Sequence, residues 1–182
     1  MKLAITGHTS GIGKALYNHY SKNGHECIGF SRLVGYDITD ATSRAKIVAE
    51  SEDCMVFINN AGPFGANSQL HMLEDMYAAW TGKDKLIINI GAKITDKELP
   101  PEHFLHKYRE KKLEQELFCL NKNRWPWVLN IKPGLVDTPL SDMSPKLKDR
   151  PGKMNPDVVV TVLDFVIKNR AAFRTTSITM EL

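Results

Sequence analysis

A tyrosine and a lysine four residues apart, Tyr108 and Lys112, are the pair in this sequence best suited to acid/base chemistry. They lie in a segment with helical periodicity, so their side chains share one helix face about one turn apart. A free phenol has a pKa of about 10, which is too high for proton transfer near neutrality. A nearby ammonium stabilises the phenolate and lowers that pKa. The spacing therefore predicts a phenol that exchanges protons with a substrate.

The same helix, expected over residues 102–121, also carries an apolar stripe made of Leu113, Leu117 and Leu120. At 100° per residue this stripe is centred well away from Tyr108 and Lys112. We expect the leucines to pack in the core, which leaves the other face for chemistry. In the alternative interpretation, Tyr108 is a core aromatic and Lys112 a solvated charge.

A glycine-rich turn follows the first predicted strand and leads directly into a helix. It reads Thr6-Gly7-His8-Thr9-Ser10-Gly11-Ile12-Gly13. Glycines let such a turn fold tightly, let backbone amides approach a phosphate, and let the helix pack close to the strand. The pattern predicts a dinucleotide whose pyrophosphate lies at the helix N-terminus. The alternative is a plain connector between strand and helix.

The end of the second predicted strand bears on the choice of dinucleotide. About 20 positions beyond the glycines, an acidic residue binds the ribose hydroxyls of NAD, whereas an arginine accommodates the 2′-phosphate of NADP. Ser31 and Arg32 stand at this spacing, and a hydroxyl and a guanidinium both suit a phosphate. We therefore expect NADP rather than NAD. Asp37 is the alternative, because its carboxylate would suit a ribose.

Short apolar runs alternate with helical periodicity along the chain, which is typical of an α/β protein. Strands are expected over residues 2–6, 26–31, 55–59, 86–90, 127–131 and 177–182. Helices are expected over residues 13–22, 42–50, 69–80, 102–121 and 156–168, the last with Asn155 as its N-cap. These elements predict one doubly wound, Rossmann-like domain, with a parallel sheet of six or seven strands and an irregular substrate loop over residues 139–154.

The amino-acid composition limits the classes of partner and the cellular location that we expect. The 24 Lys and Arg against 21 Asp and Glu give a net charge of +3 without long charge runs, so no nucleic-acid partner is expected. The apolar stretches are too short for a signal peptide or a membrane span. Three widely spaced cysteines in apolar segments predict reduced thiols in a cytoplasmic protein. His103 and His106 lack further ligands at zinc spacing, so no metal is expected.

Five short motifs occur in a fixed order between residues 6 and 138. They are Thr6-Gly7-xxx-Gly11-x-Gly13, Asp37-Ile38, Asn59-Asn60-Ala61-Gly62, Tyr108-xxx-Lys112 and Pro133-Gly134-xxx-Thr138. With these motifs the chain resembles the short-chain dehydrogenase/reductase family. The resemblance implies a homodimeric, NAD(P)-dependent oxidoreductase that moves a hydride between the nicotinamide and a small carbonyl or alcohol.

The resemblance also implies a role for each motif. Tyr108 would be the proton donor or acceptor, and Lys112 would hold the nicotinamide ribose. Further cofactor contacts are implied for Asp37 and Ile38 at the adenine, for Asn60, Ala61 and Gly62 at the ribose, and for Pro133, Gly134, Val136 and Thr138 at the nicotinamide and its carboxamide.

The chain departs from the family pattern at the residue that usually polarises the substrate carbonyl. Where the family has a serine, Ala92 lacks a hydroxyl. Losing one such donor typically costs about 10²- to 10³-fold in rate. Thr95 is one candidate to replace the donor, and Tyr108 acting alone is another. If neither suffices, the alternative function is a dinucleotide-binding sensor or partner-binding module with weakened catalysis.

Three further departures concern the length of the chain and the proton relay. No helix fits between Arg32 and Asp37. No proton-relay asparagine can be assigned on the helix expected over residues 69–80. The sequence ends at Leu182 without the glycine-containing tail that usually completes the pocket. We therefore expect a pocket that is open or is closed by a neighbouring subunit, with its substrate-shaping loops at residues 63–68, 94–105 and 139–154.

Overall fold

A computed structural model describes residues 1–62, 67–122, 125–172 and 174–181. Its centre is a six-stranded sheet in the order β2-β1-β3-β4-β5-β6, in which every pair of neighbouring strands is parallel. The strands are β1 Lys2–Thr6, β2 Glu26–Phe30, β3 Val56–Asn59, β4 Leu86–Ile90, β5 Trp127–Pro133 and β6 Ser177–Met180. The Rossmann-like α/β class predicted from the sequence is confirmed.

Helices connect the strands. They are α1 Gly11–Lys22, α2 Ala41–Glu50, α3 Ser68–Trp80, α4 His106–Leu120, α5 Pro139–Asp142, α6 Pro145–Lys148 and α7 Pro156–Lys168. The predicted N-cap of α7 is correct, because the Asn155 side chain accepts a hydrogen bond from the Asp157 amide. The segment predicted to be irregular contains the one-turn helices α5 and α6. None of the helices in the described ranges combines the length and the apolar character needed to cross a membrane.

The hydrophobic core lies on both faces of the sheet. Strands β3, β4 and β5 are buried along their whole lengths, as parallel strands covered on both faces must be. One cluster packs α1 and α7 onto the sheet through Leu16 and Leu163. The other packs α2, α3 and α4 onto the opposite face through Ile47, Trp80 and Cys119. This sandwich holds the strand ends in fixed positions.

The buried face of α4 is polar, which contradicts the expectation that its leucines pack in the core. The residues of α4 that are buried are Lys112, Gln115, Glu116 and Cys119. Leu117 and Leu120 are 50% and 45% exposed. The physical reason is that the sheet supplies partners: the Gln115 side chain accepts from Asn89, and Glu116 accepts from Lys132 at 2.7 Å. Polar side chains are tolerated in an interior when their hydrogen bonds are made.

The sheet brings several loops to one edge. All strands are parallel, so the chain segments that follow β1, β3, β4 and β5 emerge side by side. The strand order also reverses there, because β2 lies on one side of β1 and β3 on the other. Ligands of open α/β sheets bind at the carboxyl ends of strands beside such a reversal. Between β2 and α2 the chain makes only a 3₁₀ turn, Arg32–Val34, in keeping with the short connection expected there.

Candidate active site

A cavity of about 400 Å³ opens at this edge of the sheet. Nine residues singled out in the sequence line it, namely Ile12, Asn60, Gly62, Tyr108, Lys112, Pro133, Gly134, Val136 and Thr138. Ala92 lies in the same wall. Residues 63–66 of one expected substrate loop, and residue 182 of the last expected strand, lie outside the described residues. The fold therefore unites motifs that lie far apart in the sequence.

The glycine-rich turn forms a cradle at the start of α1. Gly11 has φ of +52°, a left-handed conformation that favours glycine. A Cβ on Gly13 would collide with the Gly7 carbonyl oxygen and approach Asn60 Nδ2 to 2.6 Å. Ser10 is the N-cap of α1, yet its exposed side chain makes no capping hydrogen bond. Backbone amides at such a terminus suit an anion, so this cradle fits a dinucleotide pyrophosphate.

Thr6 locks the segment after β3 against the glycine-rich turn. Its Oγ1 accepts hydrogen bonds from the Asn60 amide at 2.9 Å and from the Ala61 amide at 3.0 Å. In return, Asn60 Nδ2 donates to the Thr6 carbonyl at 3.0 Å. Asn60 and Ala61 therefore lie beside the cradle, where the sequence predicts a ribose.

The residues predicted to select the cofactor lie at the end of β2, outside the cavity. The Gly7 amide donates to the Phe30 carbonyl at 2.7 Å, which ties the end of β2 to the glycine-rich turn. Ser31 Oγ is buried and has no hydrogen-bond partner among the described residues. Arg32 is exposed at the start of the 3₁₀ turn. A buried hydroxyl without a partner and an exposed guanidinium are therefore chain neighbours at the strand end that the Gly7–Phe30 hydrogen bond joins to the glycine-rich turn.

Asp37 and Ile38 follow the 3₁₀ turn and are held by local contacts. Asp37 Oδ1 accepts from the Thr39 amide and the Thr39 hydroxyl, both at 2.9 Å. These hydrogen bonds, with a smaller contribution from Arg32, hold the pKa of the Asp37 carboxyl below its usual value. Ile38 is 5% exposed and packs in the core cluster with Phe30. Their predicted contacts with an adenine stay a prediction.

Tyr108 and Lys112 share one face of α4, and the Lys112 Nζ lies 5.7 Å from the centre of the Tyr108 ring. Burial lowers the pKa of Lys112 to about 7, and burial raises the pKa of Tyr108 to about 12. Among the described groups the burial of the phenol therefore dominates, and the lowering expected from the ammonium together with a nicotinamide ring stays a prediction. Desolvation of both groups outweighs the attraction of the amine for a phenolate.

Gln69 is a functional residue that the sequence analysis missed. Lys112 Nζ donates to Gln69 Oε1 at 2.7 Å and to the Ile90 carbonyl at 2.8 Å. The amide nitrogen of Gln69 donates to the Asn59 carbonyl at 2.9 Å and to the Ile90 carbonyl at 3.0 Å. Gln69 therefore holds the amine of Lys112 in position. It belongs to α3, the helix on which no proton-relay asparagine could be assigned from the sequence. The only signal in the sequence was a glutamine in the first turn of the helix that follows the Asn59-Asn60-Ala61-Gly62 motif.

A ladder of three asparagines crosses the strand ends beneath the cavity. Asn59, Asn89 and Asn130 are in register on β3, β4 and β5, and all three are fully buried. Asn59 Nδ2 donates to Asn89 Oδ1 at 3.0 Å, and Asn89 Nδ2 donates to Asn130 Oδ1 at 2.9 Å. Hydrogen-bonded amides in a buried setting fix strand positions, so the ladder supports the site from below.

Thr95, one candidate hydroxyl from the sequence, points its side chain at the protein backbone rather than into the cavity. Its Oγ1 donates to the Ala92 carbonyl at 3.0 Å, and its side chain is buried outside the cavity lining. His106 Nδ1 contacts the Leu99 carbonyl at 2.9 Å, and neither His106 nor His103 lines the cavity. Among the described residues there is no cluster of side chains that would hold a metal ion. Of the two candidates named from the sequence, only Tyr108 lines the cavity together with Ala92.

No family model matches the sequence, and no curated protein matches it either. Solved structures do resemble it. The 3-alpha-hydroxysteroid dehydrogenase of Pseudomonas sp. B-0831 with NADH is 20% identical, at a TM-score of 0.78 over 99% of this chain and 94% of that one. A serine dehydrogenase with NADP+ is 18% identical, at a TM-score of 0.78 over 100% and 95%. A short-chain dehydrogenase from Sphingobium yanoikuyae with NADPH is 18% identical, at a TM-score of 0.74 over 98% and 86%. This chain therefore has the fold of the short-chain dehydrogenases/reductases.

Proposed function

We propose that the protein is an NADP-dependent oxidoreductase that moves a hydride between the nicotinamide and a small carbonyl or alcohol. The observation that carries this proposal is the single cavity in which Tyr108 and Lys112 meet Ile12 of the glycine-rich turn and the segment after β5. The similar structures named above are dehydrogenases that were solved with NADH, NADP+ or NADPH, which supports the same chemistry.

The two ends of the dinucleotide would be held by different parts of the chain. The cradle at α1 would bind the pyrophosphate, and Asn60 to Gly62 would lie along a ribose. Pro133, Gly134, Val136 and Thr138 line the cavity and would contact the nicotinamide and its carboxamide. Arg32 and the free hydroxyl of Ser31 would bind the 2′-phosphate, which favours NADPH over NADH.

Bound NADPH would supply the hydride, and the chain would supply the proton. With a pKa of about 12, Tyr108 is protonated near neutral pH, so it is prepared to donate its proton to the carbonyl oxygen as the alcohol forms. Lys112, with a pKa of about 7, is close to its own titration point and can return a proton to the phenolate. Gln69 would keep the amine of Lys112 in place without touching the substrate.

A homodimer is part of the proposal. Leu117 and Leu120 are about half exposed, and their spacing of three residues places them side by side on the outer face of α4. Two copies that pack these faces together would bury the leucines. Sedimentation of the wild-type protein should give twice the monomer mass, and Leu117→Glu should give a monomer. A wild-type monomer at micromolar concentration would contradict this assembly.

A cytoplasmic location is also proposed, since the three cysteines are free thiols. Cys54 and Cys119 are buried, and burial raises the pKa of each thiol. Protonated, buried thiols persist where the compartment is reducing. Fractionation of the native cells should place the protein with cytoplasmic markers rather than with secreted ones.

Turnover is the direct test of the proposed chemistry. A panel of small aldehydes and ketones is offered with NADPH to the wild type, to Ala92→Ser and to Tyr108→Phe. We expect turnover by the wild type, a rise with Ala92→Ser, and loss with Tyr108→Phe while NADPH still binds. Turnover by Ala92→Ser alone would identify a dinucleotide sensor, and unchanged turnover by Tyr108→Phe would refute the role of the phenol.

A further inference from the structure

The opening of the cavity carries more positive than negative charge. Among its lining residues are the cations Lys93, Lys97 and Arg150 and a single carboxylate, that of Glu181. Lys93 and Glu181 form an ion pair with each other, so their charges cancel. Lys97 and Arg150 are exposed residues, which places them where the cavity meets solvent. Two cations therefore remain uncompensated at this opening.

Three nearby carboxylates do not neutralise them, because each of the three is bound to another lysine. Asp96 pairs with Lys132, and Asp137 and Asp142 pair with Lys153. Within the described residues, no ion pair or side-chain hydrogen bond involves the Lys97 ammonium or the Arg150 guanidinium. The acidic chain neighbours Glu98 and Asp149 also form no ion pair in the described part of the chain. The two cations are thus available to a ligand.

The segments that carry these cations are anchored. Lys97 directly follows a 3₁₀ turn, Lys93–Asp96, whose last residue is held by Lys132 of β5. The Lys97 carbonyl also accepts a hydrogen bond from Arg109 of α4. Arg150 follows α6, and its segment is tied down by Lys153, which donates to Asp142 at 2.7 Å. Anchored backbones reduce the ordering cost of binding.

Apolar side chains make up much of the rest of the cavity wall. Ile94, Leu105, Leu147 and Met154 line it, and of the catalytic pair Lys112 is buried and Tyr108 half-buried, in contrast to the exposed Lys97 and Arg150. A ligand that matches the catalytic pair, the apolar wall and the cationic opening has a carbonyl at one end, a hydrocarbon middle and a negative charge at the other end. Charged groups at the rim of a site act mainly on orientation and selectivity.

We infer that the substrate is an oxo acid or hydroxy acid, whose carboxylate is bound by Lys97 and Arg150 while its carbonyl or alcohol lies at Tyr108. This inference rests on the proposed function. It adds to that function a substrate class and two specificity-determining residues. A guanidinium binds a carboxylate through two parallel hydrogen bonds, and the nearby ammonium adds a point charge.

Matched pairs of substrates test this assignment. Levulinate and its longer oxo-acid homologues are compared with their methyl esters, which keep the carbonyl and lose the charge. For the best homologue we expect kcat/KM to be at least about tenfold higher for the acid than for the ester. In the double variant Lys97→Gln/Arg150→Gln this preference should disappear, mainly through KM for the acid. Lys148→Gln removes a charge from the neighbouring α6, outside the cavity lining, and should keep the preference.

The dissociation constant of NADPH separates the outcomes. It should stay within about twofold in the double variant, and a clear weakening would mean that the two cations bind the cofactor instead, which overturns the inference. If the wild type reduces the esters with the same kcat/KM as the acids, the inference is overturned, whereas the proposed oxidoreductase activity still stands. If no probe turns over, calorimetry of the NADPH complex with acid and ester decides, and equal binding of the two overturns it. If NADPH itself does not bind, the proposed function fails and this inference fails with it.

Discussion

The amine of Lys112 is bound to the side-chain amide of Gln69 by a hydrogen bond of 2.7 Å from Nζ to Oε1. This bond joins α3 to α4 directly beneath the cavity. Both acceptors of the amine, Gln69 Oε1 and the Ile90 carbonyl, are neutral, so neither of these partners compensates a buried charge on Lys112. The lysine is therefore held in position and made less basic by the same surroundings.

The first prediction concerns the charge of Gln69. In Gln69→Glu, a carboxylate replaces the amide beside Lys112 and should raise the pKa of the amine by about 1 to 3 units. The limb of the pH profile of kcat/KM that reports Lys112 should move upward by the same amount. In Gln69→Leu, the amine loses its anchor, and kcat should fall about ten- to hundredfold.

Gln115→Glu is the matched control for this prediction. It places a new carboxylate on the buried face of α4, where the side chain faces Asn89 rather than Lys112. Residues 112 and 115 are three apart on one helix, and no hydrogen bond joins their side chains in the described part of the chain. The shift of the Lys112 limb should therefore be clearly smaller than in Gln69→Glu, where the carboxylate contacts the amine. If both glutamate variants move the profile equally, Gln69 has only a general electrostatic effect and no specific one.

The second prediction concerns the dependence of stability on pH. The pKa of Lys112 is about 7 in the folded protein and 10.5 for an ordinary lysine. Below pH 7 both states are protonated, and the penalty for burying the charge is fully present. Between these pKa values the unfolded chain binds more protons than the folded one, so stability rises with pH, by about 2 kcal/mol from pH 7 to pH 9.

Urea denaturation across this pH range measures the effect. Lys112→Met lacks the titrating group. The unfolding free energy of the wild type minus that of the variant should therefore become more positive as the pH rises. Lys107→Met, which removes an exposed lysine from the same helix, should run parallel to the wild type. A constant difference between wild type and Lys112→Met would show that the amine is not desolvated.

The third prediction concerns Thr6, whose hydroxyl accepts from two backbone amides. Thr6→Val keeps the shape and removes the acceptor, which leaves the Ala61 amide unsatisfied and the Asn60 amide with only the Ile58 carbonyl at 3.2 Å. We expect a loss of about 2 kcal/mol in unfolding free energy, and weaker NADPH binding because the segment after β3 is released. Thr161→Val, at an exposed position of α7, should change the unfolding free energy by less than about 0.5 kcal/mol. Equal effects of the two variants would refute the locking role of Thr6.

The fourth prediction concerns cofactor choice. Arg32→Ala should weaken NADPH binding about tenfold or more and leave NADH binding nearly unchanged, because only NADPH has a 2′-phosphate. Lys46→Ala removes an exposed cation from α2 and serves as the control. Fluorescence titration with both cofactors gives the ratio. Equal losses for NADPH and NADH would refute the assignment of the phosphate to Arg32.

Strands and the glycine-rich turn were predictable because their signals are local. A buried parallel strand reads as a short apolar run, and β1 and β4 have the bounds expected from the sequence alone. Gly11 and Gly13 are required by backbone geometry within a few residues of the chain. The order of the motifs then places them at one edge of the sheet, since a parallel sheet leaves few other arrangements.

Which face of α4 is buried could not be predicted, because the residues that contact this face come from strands distant in the sequence. Hydrophobic periodicity points to Leu117 and Leu120, but Asn89 and Lys132 supply hydrogen bonds that make a polar face the buried one. Gln69 escaped notice for the same reason, since its contact with Lys112 spans 43 positions in the sequence. The burial of the phenol, which raises its pKa, is likewise an effect that residue spacing does not contain.

Equilibrium titration of the wild-type protein with NADPH, followed by cofactor fluorescence, tests the central claim most directly. Saturation at one NADPH per chain, with binding lost in Gly13→Val because its side chain would fill the cradle, is the predicted result. If the protein binds neither NADPH nor NADH, or if Gly13→Val remains folded and binds as the wild type does, the cradle at α1 is not a dinucleotide site.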